Sequence, residues 1–232
     1  MRLLILRGAS PFLLMLVLGC GAALAADPFD IWHWRNPEPT GSRLKDVAYG
    51  AGRYVAVGEN GDVLVSNDSK NWNAARAPLV STLRGIAYGA GQFVAVGESG
   101  TVVSSEDGTT WKKETTGTLV RLNDICWSGA IFTAVGNDGT IMTSPEGSTW
   151  TLRSTGGDDI QAVDSGDGRV IAVGGYPSNG GSTTNPDPPR PLVLVSTTGV
   201  NWTSHRPPAI HSLTGVVYGN GRWVAAAEDG DS

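Results

Sequence analysis

The chain has 232 residues, a formal net charge of −5, 32 glycines and two cysteines. The acidic balance, with no basic run against it, excludes a nucleic-acid or anionic-membrane surface as its organising feature. Two cysteines exclude a disulfide framework, and the length suffices for a large core in one repeat domain.

Residues 1–25 read as an export signal. Arg2 and Arg7 form the charged start, Pro11 to Leu18 the apolar stretch, and Ala23-Leu24-Ala25 a small-x-small cleavage site. The apolar stretch is too short to span a bilayer comfortably. Val17-Leu18-Gly19-Cys20 also resembles a degenerate lipobox, so soluble export and a lipid anchor on Cys20 both stand as readings. No transmembrane segment is expected once the signal is removed. Trp32-His-Trp-Arg35, just downstream, matches Trp150-Thr-Leu-Arg153 and reads as an orphan outer strand.

From Leu44 onward the sequence repeats. Leu44, Leu83, Leu122, Ile160 and Leu213 open five copies, spaced 39, 39, 38 and 53 residues apart. Each opener is followed by one phrase: Tyr54-Val-Ala-Val-Gly58, Phe93-Val-Ala-Val-Gly97, Phe132-Thr-Ala-Val-Gly136, Val170-Ile-Ala-Val-Gly174 and a worn Trp223-Val-Ala-Ala-Ala227. A fixed period in this range signals a solenoid, propeller or array. Within each copy the apolar runs are 4–6 residues long and bounded by Gly, Asn, Asp or Ser, which predicts strands. Asn60-Gly61 and Asp138-Gly139 predict type I′ hairpins. Four antiparallel strands in about 40 residues make one propeller blade, so residues 26–232 are predicted to form an all-β propeller of four-stranded blades.

Three copies depart from the others. In the third, Cys126 takes the place of Ala48 and Ala87, where a buried small residue is expected. In the fourth, Gly175 to Pro191 replaces a short hairpin with an insertion of about 13 residues rich in Pro, Gly, Ser and Asn. Tyr176 and Arg190 are its best anchoring side chains. The fifth runs only as far as Glu228-Asp229-Gly230-Asp231-Ser232, which aligns with the second-to-third-strand turn. That leaves the blade half built and reads as part of a longer propeller with further C-terminal blades.

A second signature recurs: Ser66-Asn-Asp68-Ser-Lys-Asn-Trp72, Ser105-Glu-Asp107-Gly108-Thr-Thr-Trp111, Ser144-Pro-Glu146-Gly147-Ser-Thr-Trp150 and Ser196-Thr-Thr-Gly199-Val-Asn-Trp202. It resembles the Asp-box, or BNR repeat, shortened by about one residue. The resemblance covers the chain from roughly Trp32 to the C-terminus. It implies that the box closes the turn between third and fourth strands. Ser and acid then bond turn N–H groups, and the Trp packs between blades. These are folding residues on that reading, and none is expected to be catalytic.

The resemblance also implies that ligands bind at the other face, where the second-to-third-strand hairpins lie. Glu59, Glu98, Asn137, Asp138 and Glu228 fall at equivalent hairpins, beside the Gly175 to Pro191 insertion. Arg43 and Arg121 enter first strands. Asp46 and Asp124 stand on first strands where Gly85, Ala162 and Gly215 otherwise occur. These residues are the ligand-face candidates. Sialidases, which share Asp-boxes, use three arginines, a Tyr–Glu pair and an acid. Their Arg-Ile-Pro start motif is absent here, and no acid pair stands out from the turn carboxylates. His33, His205 and His211 lack ligand spacing, so neither metal nor cofactor is expected. The pattern is also similar to photosystem II assembly factor-like propellers, which act as scaffolds. The expectation is an exported, non-catalytic binding module for an unknown protein or glycan at the surface of a bacterial-type cell. The alternative is a sialidase-like or other glycoside hydrolase whose catalytic residues lie partly outside this sequence.

Overall fold

The computed structural model describes residues 41–154, 157–177, 191–208 and 211–227, with only the backbone of 176 and 177. The export signal, the Trp32 to Arg35 segment, Glu228, the side chain of Tyr176, and Arg190 lie outside the described residues. The domain limits expected from the sequence are likewise outside them at their N-terminal end.

Eighteen strands are described. The first blade comprises β1 (Leu44–Gly50), β2 (Arg53–Gly58), β3 (Asp62–Ser66) and β4 (Asn73–Arg76), paired antiparallel in chain order. The second is β5 (Leu83–Gly89), β6 (Gln92–Gly97), β7 (Val102–Ser105) and β8 (Lys112–Glu114). The third is β9 (Leu122–Trp127), β10 (Phe132–Gly136), β11 (Ile141–Ser144) and β12 (Thr151–Ser154). The fourth is β13 (Asp158–Gly166), β14 (Arg169–Pro177), β15 (Leu192–Ser196) and β16 (Thr203–His205). A fifth sheet has two described strands, β17 (Leu213–Gly219) and β18 (Arg222–Ala227). The first strands β1, β5, β9, β13 and β17 lie side by side in that order.

The core sits in the seams between blades, and the repeated phrase explains it. Second strands of the first four blades are buried on both faces, so they read as unbroken apolar runs. In β6, Phe93 and Ala95 pack with Val55, Val57 and Val63 of the first blade. The alternating Val94 and Val96 pack with Leu122, Ile125 and Phe132 of the third. Period-two alternation thus sends one strand into two seams. The third seam joins Cys126, Val135 and Ile141 to Ile160, Val163 and Ala172. Cys126 is buried there, and the burial pushes its thiol pKa well up.

The glycine closing each phrase is required by contact, because its backbone is ordinary extended structure. A Cβ on Gly58, Gly97, Gly136 or Gly174 would lie 2.0–2.3 Å from the carbonyl oxygen of Arg43, Thr82, Arg121 or Asp159. That oxygen belongs to the residue entering the same blade's first strand. It accepts the N–H of Glu59, Glu98 and Asn137 in the first three blades, each at 3.0 Å. The hairpin that follows places two residues at positive φ: Asn60 and Gly61 at 59° and 73°, Asp138 and Gly139 at 55° and 64°. This is the type I′ geometry expected from Asn-Gly and Asp-Gly.

Candidate binding face

Antiparallel order puts the β2–β3, β6–β7 and β10–β11 hairpins at one end of the blades, with the third-to-fourth-strand turns at the other. The hairpin end holds most of the described ligand-face candidates. Glu59 pairs with Lys45 at 3.1 Å, and this cation is the largest cause holding its carboxyl below the usual range. Glu98 takes Arg84 through two nitrogens, Nε at 2.8 Å and Nη2 at 2.7 Å, with Arg121 Nη1 at 3.9 Å. Arg121 also reaches Asn137 Oδ1 at 3.4 Å, which accepts Asn123 Nδ2 at 2.9 Å. Asp138 is exposed, and its N–H donates to Asp159 Oδ1 of the next blade at 2.9 Å. Arg43 is exposed beside Glu59. Glu59 and Glu98 are therefore held by cations. Lys45 and Arg84, which the sequence reading passed over, are the direct partners.

Asp46 and Asp124 have a different place. Asp46 Oδ1 accepts the N–H of Val47, and its Oδ2 accepts the N–H of Ile86 on the next blade, both at 2.8 Å. Asp124 repeats this with Ile125 and Val163, both at 2.8 Å. Asp164, not singled out from the sequence, does the same with Ser165 at 2.7 Å and Tyr218 at 2.8 Å. Each carboxylate ties two first strands across a seam, so both its oxygens are engaged by the fold. Gly85 is small because a Cβ there would meet Asp124 Cα at 2.9 Å. Burial pushes the Asp124 carboxyl up to about 7, with the nearby Asp46 and Asp164 charges adding to the shift. Burial raises Asp46 as well.

At the opposite end the turns carry the bonds the resemblance implied. Asp107 Oδ1 accepts the N–H groups of Thr109 and Thr110 at 2.8 and 2.7 Å and the Ser105 hydroxyl at 3.0 Å. Asp68 accepts those of Lys70 and Asn71 at 2.9 and 2.8 Å. Glu146 accepts that of Thr149 at 2.9 Å. These backbone donors hold the two aspartates far below the usual carboxylate range. Ser105, Ser144 and Ser196 accept the N–H of Gly108, Gly147 and Gly199 at 2.7–2.9 Å. Ser66 accepts that of Asp68 at 3.3 Å. Trp111, Trp150 and Trp202 donate Nε1–H to those same glycine carbonyls at 2.9–3.1 Å. Trp111 is buried, while Trp72, Trp150 and Trp202 are half-buried. Among the described residues no group of three or more His, Cys, Asp or Glu could hold a metal. No helix among them is long and apolar enough to cross a membrane.

Comparison with solved structures places this architecture. A structure described as YCF48 bound to D1 peptide aligns with a TM-score of 0.58 and 16% identity, over 78% of this chain and 59% of that one. The fold is a β-propeller. YCF48 from Cyanidioschyzon merolae aligns with a TM-score of 0.58 and 19% identity, over 78% of this chain and 62% of that one. A GH74 enzyme of Niastella koreensis aligns at 0.50 and 21%, over 70% of this chain and 24% of that one. The chain thus spans about three fifths of the two YCF48 structures. No family model matches it, and neither does any curated protein.

Proposed function

We propose that this propeller is a non-catalytic binding module that takes an acidic segment of a partner protein on its hairpin face, acting after export from the cell. The observation that carries the reading is the row of cations at the entrances of successive first strands: Arg43 and Lys45, then Arg84, then Arg121. Two glutamates, Glu59 and Glu98, are their described ion-pair partners, so these four cations outnumber the described carboxylates that pair with them. Guanidinium groups recognise carboxylates by two parallel N–H bonds. Arg121 is open to a better partner because its own contacts, at 3.4 and 3.9 Å, are long.

Most of the described carboxylates around this row are already engaged. Glu59 and Glu98 are ion-paired, and Asp46, Asp124 and Asp159 accept backbone N–H groups. A glycosidase needs one carboxyl kept protonated and a second free to act across the scissile bond. The likeness to a peptide-bound propeller agrees with a protein partner. The export reading rests on residues 1–25, and soluble release and a lipid anchor on Cys20 remain its two forms.

Panning a random peptide library and a glycan array with the mature protein tests the reading. Enrichment of Asp- and Glu-rich peptides is expected. Glycan binding without peptide enrichment would reverse it.

A further inference from the structure

Each blade but the fourth carries a pair of rings at the hairpin joining its first two strands. Tyr49 packs at a tilt against Tyr54, Tyr88 against Phe93, Trp127 against Phe132 and Tyr218 against Trp223, with centroids 4.6–5.0 Å apart. All four are register partners across the two strands. The first-strand ring also closes a seam. Tyr88 lies over Gly50, Trp127 over Gly89 and Tyr218 over Gly166, so close that a Cβ on the glycine would fall 2.0–2.2 Å from the ring.

The seam between the third and fourth blades breaks this rule on both sides. Ser165 stands in the ring's place and Ser128 in the glycine's, and the register partner of Ser165 is Val170. Two rings are therefore missing from the fourth blade. The turn changes as well. Only Gly129 has positive φ in Ser128–Ile131, whereas Ala90 and Gly91 both do in the second blade. In place of the rings is a hollow of about 450 Å³, lined by Trp127, Ser128, Ser165, Arg169, Val170 and Thr198 among others. It opens at the end of the blades opposite the cation row and does not depend on the function proposed for that row.

We propose that this hollow is a docking site for an aromatic side chain of a partner protein, seated where the repeat's own ring is absent. The walls suit such an occupant. The half-buried Trp127 supplies apolar contact, and Ser128 and Thr198 line the hollow around it. The exposed Arg169 guanidinium stands at the rim, within the same lining, where it can lie against a ring face. The Ser165 hydroxyl is already donated to the Trp127 carbonyl at 2.8 Å, which fixes the floor. Aromatic side chains in desolvated pockets dominate the energetics of protein interfaces.

The test uses p-cresol, the side-chain analogue of tyrosine, with cellobiose as the saccharide arm, titrated into the mature protein and followed by NMR. Saturable shifts are expected for the Trp127 indole, together with nuclear Overhauser contacts from the cresol ring to the Trp127 ring protons. The double variant Ser128→Gly/Ser165→Tyr rebuilds the seam found between the other blades. It should melt at or above the wild-type temperature and lose p-cresol affinity at least tenfold. Contacts in the wild type decide the matter even if the double variant does not fold. Absence of saturation, contacts elsewhere on the protein, undiminished binding by the folded variant, or cellobiose in the hollow instead would each overturn the proposal.

Discussion

Replacing Gly97 by alanine tests how the repeated phrase specifies the blade. Gly97 has extended backbone, so the substitution costs nothing in φ. Its new Cβ would stand 2.0 Å from the Thr82 carbonyl oxygen and 3.0 Å from Leu83 Cα, both backbone atoms. The strand entrance would have to retreat by more than about 1 Å to reach ordinary contact. That movement breaks the 3.0 Å bond from Glu98 N–H to Thr82, worth about 1 kcal/mol net. It also displaces Leu83, which is fully buried, and overpacking of this kind costs about 1–3 kcal/mol. The expected loss is about 2–4 kcal/mol. Gly91→Ala is the control. Gly91 has a φ of 82° and nothing within 4 Å of a new Cβ, so only the left-handed penalty of about 1–2 kcal/mol applies. Urea denaturation followed by tryptophan fluorescence measures both. A Gly97→Ala variant no less stable than Gly91→Ala would refute the reasoning.

Other outcomes follow from the same geometry. Trp111→Ala should cost about 3–5 kcal/mol, and Trp72→Ala clearly less, because Trp111 is buried with a bonded indole N–H and Trp72 is half-buried; comparing the two denaturation midpoints checks this. The Asp124 carboxyl is raised in the folded state, so its stabilising contribution is full below about pH 4 and fades as pH rises through about 7. The stability advantage of wild type over Asp124→Asn should therefore shrink from pH 4.5 to pH 8, and a constant or growing advantage would contradict it. The turn carboxylates Asp68 and Asp107 are lowered, so what they contribute is present above about pH 4 and is lost in more acidic solution. Asp107→Asn should accordingly flatten the acid limb of a melting-temperature profile. Dithiothreitol should leave the melting temperature of the mature protein unchanged, since Cys126 is buried and free.

The blades were legible in the sequence because strand, hairpin and seam each impose a separate local pattern. Asn60-Gly61 announced a turn through its φ requirement, and Phe93 to Gly97 a short apolar strand. Ser105 to Trp111 announced a side-chain-closed turn. The hairpin face was legible only in part. Glu59 and Glu98 were placed at the correct hairpins, but their partners Lys45 and Arg84 lie 14 residues earlier, and no short motif links positions across a hairpin. Asp46 and Asp124 read as ligand-face candidates, because their bonds run to a neighbouring blade about 40 residues on. Asp164 was missed for a related reason. It sits two positions after the aligned site, at Ala162, and still bridges to the next first strand through Tyr218. The Gly-for-ring exchange between Gly50 and Tyr88 is likewise a contact between copies. It emerged only when the copies were stacked in space.

An acidic protein segment is expected to bind the cation row. Fluorescence anisotropy of a labelled Asp- and Glu-rich peptide selected by panning tests it most directly, comparing wild type with Arg84→Glu/Arg121→Glu at two salt concentrations. The double variant should form at least a tenfold weaker complex, equivalent to about 1.4 kcal/mol. Wild-type affinity should fall with added salt. Equal affinity for the two proteins, independent of salt, would contradict it.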